Sequence, residues 1–519
     1  MGKAIKKWWD ENDGNAVLAG VMAVAAVCYF YYLTHELKNS DCFNEGLLLY
    51  TNGAFDVSLG RWLTPVCTGI SGFIVDPLIY LAVYFVCDAI AAVILTDIWR
   101  IRGKILRILT GGIFAAAPAI AGQAMYIHEM PTYAFSLLFA FLSLYVLEKG
   151  RGYRSVIAAA FLFAMALGSF QSVIGMVFFV ICGSLFLSFT VDEELRISLQ
   201  KTGRCVCFAA GGVIIYWLIL KVCLKLSGLE RPSYAGVDEV SFSGVLSGLP
   251  HYIKRPYWIF LSYYRDDPLF GKVFWGILIL AGMLGGGVLI VYLVKNKRPI
   301  QLLFAVIIAL AMPLGANIID VITPEHGIQL YMTYQMQLMA PFCIAVAGAA
   351  ADRVERSASD IRSVSYVITC ICMAGLIWSY CLQTYSSFRT IEIGSRHIRF
   401  CVSNALSHAL EDDRYAEGMP IVFAGFVNDE KAQAMNPLRK YSYFDNAYPF
   451  WKERYEVFSV WRTYCAYYFG IDTGAVSEAQ YESIIQSEEF KKMIQYPSEE
   501  AYAVINGCYV ILMDRESVV

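Results

Sequence analysis

VIGMVFFVICGSLFLSFT, residues 173–190, runs for 18 residues without one charged side chain. A helix advances about 1.5 Å per residue, so crossing a bilayer core takes about 20 apolar residues. The stretch reads as a membrane span. Just upstream, a short apolar run at 155–170 is joined to it through Gln171, a spacing that suits a tight, partly re-entrant hairpin. Working outward in both directions gives about eleven such runs: 16–34, 73–98, 106–127, 131–148, 155–170, 173–190, 204–226, 272–294, 300–320, 331–350 and 364–385. The 519 residues are 57% hydrophobic and 16% charged, with mean hydropathy +0.51. That composition excludes a soluble globular protein.

The first run follows Lys3, Lys6 and Lys7 and resembles a signal sequence, but its length and the spans that follow make it an uncleaved anchor. Most of the 15 cysteines lie in apolar runs (Cys28, Cys87, Cys182, Cys370 and Cys372 among them). They read as small buried hydrophobes rather than a disulfide framework. The formal net charge of −3 says little about partners, because its distribution matters more than its sum.

Lysine and arginine in alternate short loops set the orientation. Arg100, Arg102, Lys104 and Arg107 share one loop. Lys149, Arg151 and Arg154 share another, and Arg196, Lys201 and Arg204 a third. Lys295, Lys297 and Arg298, then Arg353, Arg356 and Arg362, complete the series. All fall on one side if the N-terminus is cytoplasmic. The loops 35–72 and 227–271 and the tail 386–519 are then extracytoplasmic.

After about Arg389 the spans stop. A helical stretch is expected over Arg396 to Leu410. MPIVFAGF, Met419 to Phe426, reads as a buried strand, and YAVINGCYVILM, Tyr502 to Met513, as a hairpin turning at Asn506-Gly507. Helical, aromatic-rich segments lie between them, around Trp451 to Phe469 and Ser477 to Met493. The expected architecture is an all-α polytopic membrane bundle over 1–385 with a small extracytoplasmic α/β domain over 386–519.

The first outer loop carries Glu36, Lys38, Asp41, Glu45, Asp56 and Arg61. Most of these suit an ordinary polar loop. A carboxylate such as Asp41, held near the headgroups, can also take the proton of a hydroxyl nucleophile. Arg61 lies deeper in the loop beside Trp62, and its planar fork suits a phosphate whose charge grows as it leaves. A base and a phosphate holder in one loop suggest group transfer from a phospholipid-like donor.

NSDCFNEG, Asn39 to Gly46, followed by LGRW, Leu59 to Trp62, resembles the serotype-converting type II O-antigen glucosyltransferases. These are multispan, GT-C-like enzymes of the class that takes sugars from polyprenyl phosphates. The family pattern is an Asp-Asp pair, an Arg, a Gly, then a Gly-Arg step. Here the pair is Ser40-Asp41, Asn44 stands at the Arg position, and Gly46 and Gly60-Arg61 follow. YIHEMPTYAFSL, Tyr126 to Leu137, resembles the family's acidic patch, with His128 and Glu129 in place of an Asp. FQS, Phe170 to Ser172, resembles its Tyr-Gln-Ser hairpin tip. The resemblance implies Asp41 as the catalytic base and Arg61 at the donor phosphate. Glu36, Trp62, His128, Glu129 and Gln171 are expected at the acceptor or behind the reacting groups. It also implies transfer at the outer face without a nucleotide sugar, a cofactor or a metal.

HYIKRPYWIFLSYYRDD, His251 to Asp267, reads as an interfacial helix with an aromatic belt. Its Lys254, Arg255 and Arg265 would also hold a lipid phosphate. Asp88, near the middle of a span, is expected to face the bundle interior. Asp320, Glu325 and His326 cluster in a loop without enough ligands for a metal. The expected partners are a polyprenyl-phosphate sugar, a polysaccharide or lipid-linked glycan acceptor and the bilayer, with no nucleic acid. A polysaccharide polymerase or ligase, and a transporter, remain alternatives. A transporter would be expected to show repeats and broken helices.

Overall fold

The computed structural model describes residues 2–39, 42–43, 47–50, 53–192, 194–232, 249–267, 270–322, 328–353, 359–444 and 457–518. It is 75% helical. Among the described residues, ten helices are long and apolar enough to cross a membrane, or eleven if Lys104–Ala115 and Pro118–Ala124 are one span bent by 40°. The break falls at Ala116-Ala117, just before Pro118, where a proline ring excludes the preceding residue from helical geometry. The runs on either side of Gln171 are both full-length spans, Gly152–Ser169 and Val173–Val191. The hairpin therefore joins two helices that are each long and apolar enough to cross a membrane.

The chain divides into two compact units. The first comprises Met1–Phe30 and Thr51–Thr384, the second Tyr31–Tyr50 and Tyr385–Val519. In the first unit, helix Ile127–Lys149 packs between Pro77–Ile98 and Gly152–Ser169, and Val173–Val191 packs against Pro299–Ala316. Of the most apolar stretch in Val173–Val191, 83% is buried, against 28% in Gly271–Lys295. The quoted stretch is the centre of the bundle.

The last helix differs from expectation. A span ending at 385 and a separate helix at 396–410 are in fact one helix, Ser359–Glu411, of 53 residues. No proline interrupts it, and its two interior glycines, Gly375 and Gly394, cost only about 1 kcal/mol each against alanine.

In the second unit three strands, β1 (Ile421–Ala424), β2 (Tyr502–Ile505) and β3 (Cys508–Leu512), form a sheet in the order β1-β3-β2, β1 parallel and β2 antiparallel to β3. Successive strand residues face opposite sides. Ile421, Phe423, Tyr509 and Ile511 enter a core with Trp461, Val402 and Phe43, while Val422, Ala424, Val510 and Leu512 enter another with Tyr481 and Phe490. Burial on both faces explains the unbroken apolar run. Asn506 and Gly507 both have positive φ, 48° and 75°, as the tightest hairpin turn demands.

Candidate active site

Helix Gly53–Ser58 ends in a turn in which the Arg61 amide donates to the Asp56 carbonyl at 2.8 Å. Gly60 has φ +92°, a conformation that disfavours any side chain. A Cβ there would lie 2.8 Å from Gln171 Nε2. That amide donates to the Leu59 carbonyl at 2.9 Å and to the Tyr216 hydroxyl at 3.2 Å. The Leu63 amide donates to the Gly168 carbonyl at 2.8 Å, and the Trp62 ring occupies the space a Gly168 side chain would fill. The Gly-Arg-Trp turn is thus fastened to the hairpin tip around Gln171.

The fastening aims Arg61 inward. Its Nη1 donates to Glu129 Oε1 at 2.7 Å and lies 3.4 Å from Asp56 Oδ1. The guanidinium sits 5.2 Å from the Phe170 ring centroid. Glu129 stands at the start of helix Met130–Lys149, where the helix dipole favours a negative charge. One turn along, the Tyr133 hydroxyl donates to Glu129 Oε2 at 2.7 Å. The side chains of Asp56, Glu129 and Arg61 are 1%, 10% and 14% exposed. Burial opposes the arginine's charge, but Glu129 and then Asp56 outweigh it and hold Arg61 above the usual arginine range. One positive charge thus faces two negative ones. Among the described residues, the buried Arg61 Nε and Trp62 Nε1 have no hydrogen-bond partner. An arginine held at Nη1 by carboxylates keeps a buried, unpaired Nε donor, a group that can bind an anion or a sugar hydroxyl.

Tyr133 and Phe170, whose ring centroids are 4.7 Å apart, also wall a narrow cavity beside this cluster. Tyr84, Gln123, Tyr334 and Gln335 line it as well. The Tyr334 hydroxyl donates to Asp88, which is fully buried, as expected for an acid in mid-span.

The structure brings together Arg61, Trp62, Glu129 and Gln171, residues from three separate motifs. His128 is buried beside Tyr126, with ring centroids 6.3 Å apart. Lys254, Arg255 and Arg265 belong to helix Leu249–Arg265, which packs on Gly271–Lys295 and Pro299–Ala316 rather than on the elements that hold Arg61. Lys254 is exposed, Arg255 pairs with Asp320 at 3.2 Å, and Arg265 pairs with Asp266 at 2.6 Å. Glu36 is exposed in a left-handed turn of the second unit. Asp41, Glu325 and His326 lie outside the described residues. Among those described, no group of three or more His, Cys, Asp or Glu could hold a metal ion.

Sequence reasoning missed the cluster roles of Asp56 and Tyr133. Tyr133 was detectable, because residues four apart share a helix face and Glu129 precedes it by four. The partnership of Asp56 with Arg61 depends on the turn and had no such signal. No curated protein and no solved structure matches the chain. The family model described as "Glucosyl transferase GtrII" matches residues 30–346, a stretch that holds all three converging motifs. Since the match covers more than half of the chain, the protein belongs to the GtrII glucosyl transferase family.

Proposed function

We propose that this membrane glucosyltransferase moves glucose from a polyprenyl-phosphate donor to a surface polysaccharide or lipid-linked glycan, as in O-antigen modification. The observation that carries the reading is the convergence of the Gly60-Arg61-Trp62, His128-Glu129 and Phe170-Gln171 motifs on one buried cluster, within the stretch that matches the family. An acceptor hydroxyl oxygen forms a bond to the glucosyl anomeric carbon. The bond from that carbon to the phosphate oxygen breaks, and polyprenyl phosphate leaves with the electron pair. Asp41, nominated by its motif, takes the hydroxyl proton, and the unpaired Nε of Arg61 steadies the departing phosphate. Lys254, Arg255 and Arg265 act as a more distant basic face for lipid phosphates. Basic residues in alternate loops support a cytoplasmic N-terminus, with residues 386–519 and the reaction on the outer side of the cell membrane.

Membranes carrying the protein, supplied with labelled polyprenyl-phosphate glucose, should pass label into polymer. Asp41→Asn should bind donor normally and turn over roughly a hundredfold to ten-thousandfold more slowly. Arg61→Lys keeps the charge but loses the fork, so it should bind donor weakly. Near-normal turnover by Asp41→Asn would remove the base assignment. A reporter fused after Val519 that proves cytoplasmic would remove the outer-face reaction.

A further inference from the structure

The narrow cavity beside the Arg61 cluster contains two buried amides with unmet hydrogen-bonding capacity. Gln123 is 5% exposed and Gln335 is 1% exposed. Gln123 Nε2 donates to the Tyr331 carbonyl at 3.0 Å, which turns its Oε1 away from that bond. Among the described residues, neither Gln123 Oε1 nor Gln335 Nε2 has a partner. One is an acceptor and the other a donor. A buried polar atom left unpaired is costly, and such atoms in a folded protein call for an occupant.

The remaining walls restrict what that occupant can be. Leu137, Val173, Met176 and Met332 line the cavity with hydrocarbon. The room between them is narrow, so a short arm enters more readily than a whole ring. The occupant needs a methylene to lie against these side chains and a terminal hydroxyl that both accepts and donates. A hexose has one such substituent, its hydroxymethyl group. We propose that the cavity receives the hydroxymethyl arm of the transferred glucosyl unit, with Gln335 donating to its hydroxyl and Gln123 accepting from it. The shared walls Tyr133 and Phe170 place this pocket directly against the Arg61–Glu129 pair. Gln123 and Gln335 are then specificity-determining residues. This inference rests on the polyprenyl-phosphate donor proposed above.

The test uses the full chain in lipid nanodiscs and three polyprenyl-phosphate sugars: glucosyl, 6-deoxyglucosyl and xylosyl. Binding is followed by the ligand's shift of thermal unfolding. The wild type should bind the glucosyl lipid about tenfold to a hundredfold more tightly than the 6-deoxy lipid, the loss expected for an unmade buried hydrogen bond. Gln335→Leu, and separately Gln123→Leu should the first fail to fold, should reduce that preference below about threefold. Equal wild-type binding of all three sugars would overturn the pocket assignment while leaving the donor class intact, and would mean that the two amides hold only water. A preference that survives in both leucine variants would also overturn it. Binding of none of the three lipids would overturn the donor reading, and this inference with it.

Discussion

Arg61 and Arg265 both sit near a tryptophan and an acid, and their local sequences look equally suited to a phosphate. Arg265 lies over Trp258 at 4.8 Å on an exposed helix face and pairs with the adjacent Asp266. Arg61 is enclosed and shared between two carboxylates from different parts of the fold. In water, a pair such as Arg265–Asp266 gains little, because solvent screens it and both side chains must be ordered. Inside the protein the same chemistry is consequential, since a buried charge that loses its partner has no water to replace it. The contrast teaches that enclosure, rather than the neighbouring residue types, decides which arginine matters.

The comparison can be broken most directly by deleting each arginine. Arg61→Ala leaves Asp56 and Glu129 buried without a counter-charge and should cost about 3–5 kcal/mol, read as a large drop in unfolding temperature of the purified protein. Tyr133→Phe removes a hydrogen bond to the Glu129 carboxylate and should cost about 1.5–3 kcal/mol. Its loss should shrink in a Glu129→Gln background, as a double-mutant cycle would reveal. Gly60→Ala forces a side chain into the left-handed region and against Gln171, for about 1–3 kcal/mol. Transfer activity should fall along with that stability, because the same turn aims Arg61. Arg265→Ala should lie within about 0.5 kcal/mol of wild type. If Arg61→Ala and Arg265→Ala shift unfolding equally, the distinction between enclosed and exposed arginines fails.

Much of the fold was legible because it depends on local pattern. The apolar runs mark the spans, and the Asn506-Gly507 pair marks its hairpin. The seam at 386–395 misled, since the end of an apolar run resembles the end of a helix even where the backbone continues to Glu411. The candidate site was legible only in part. Arg61 stood out as an arginine beside a tryptophan in an outer loop, and Glu129 through the resemblance of its motif to an acidic patch, but nothing local joined them. Gln123 and Gln335 carried no signal at all, because a glutamine in an apolar run shows its unmet hydrogen bond only when its neighbours are known.

By itself, the sequence determined a multispan helical protein with a small mixed domain after the last span. A bilayer offers no water to backbone groups, so long apolar runs must become helices whatever surrounds them. Only the tertiary structure decided which helices are central. Val173–Val191 and Gly271–Lys295 are both apolar enough to cross a membrane, yet the first is mostly enclosed and the second mostly exposed. Lipid tails and apolar side chains are alike in hydrophobicity, so composition cannot choose between them, and close packing does. The same packing brought Glu129 and Asp56 to the same nitrogen of Arg61, and made three separate motifs a single site.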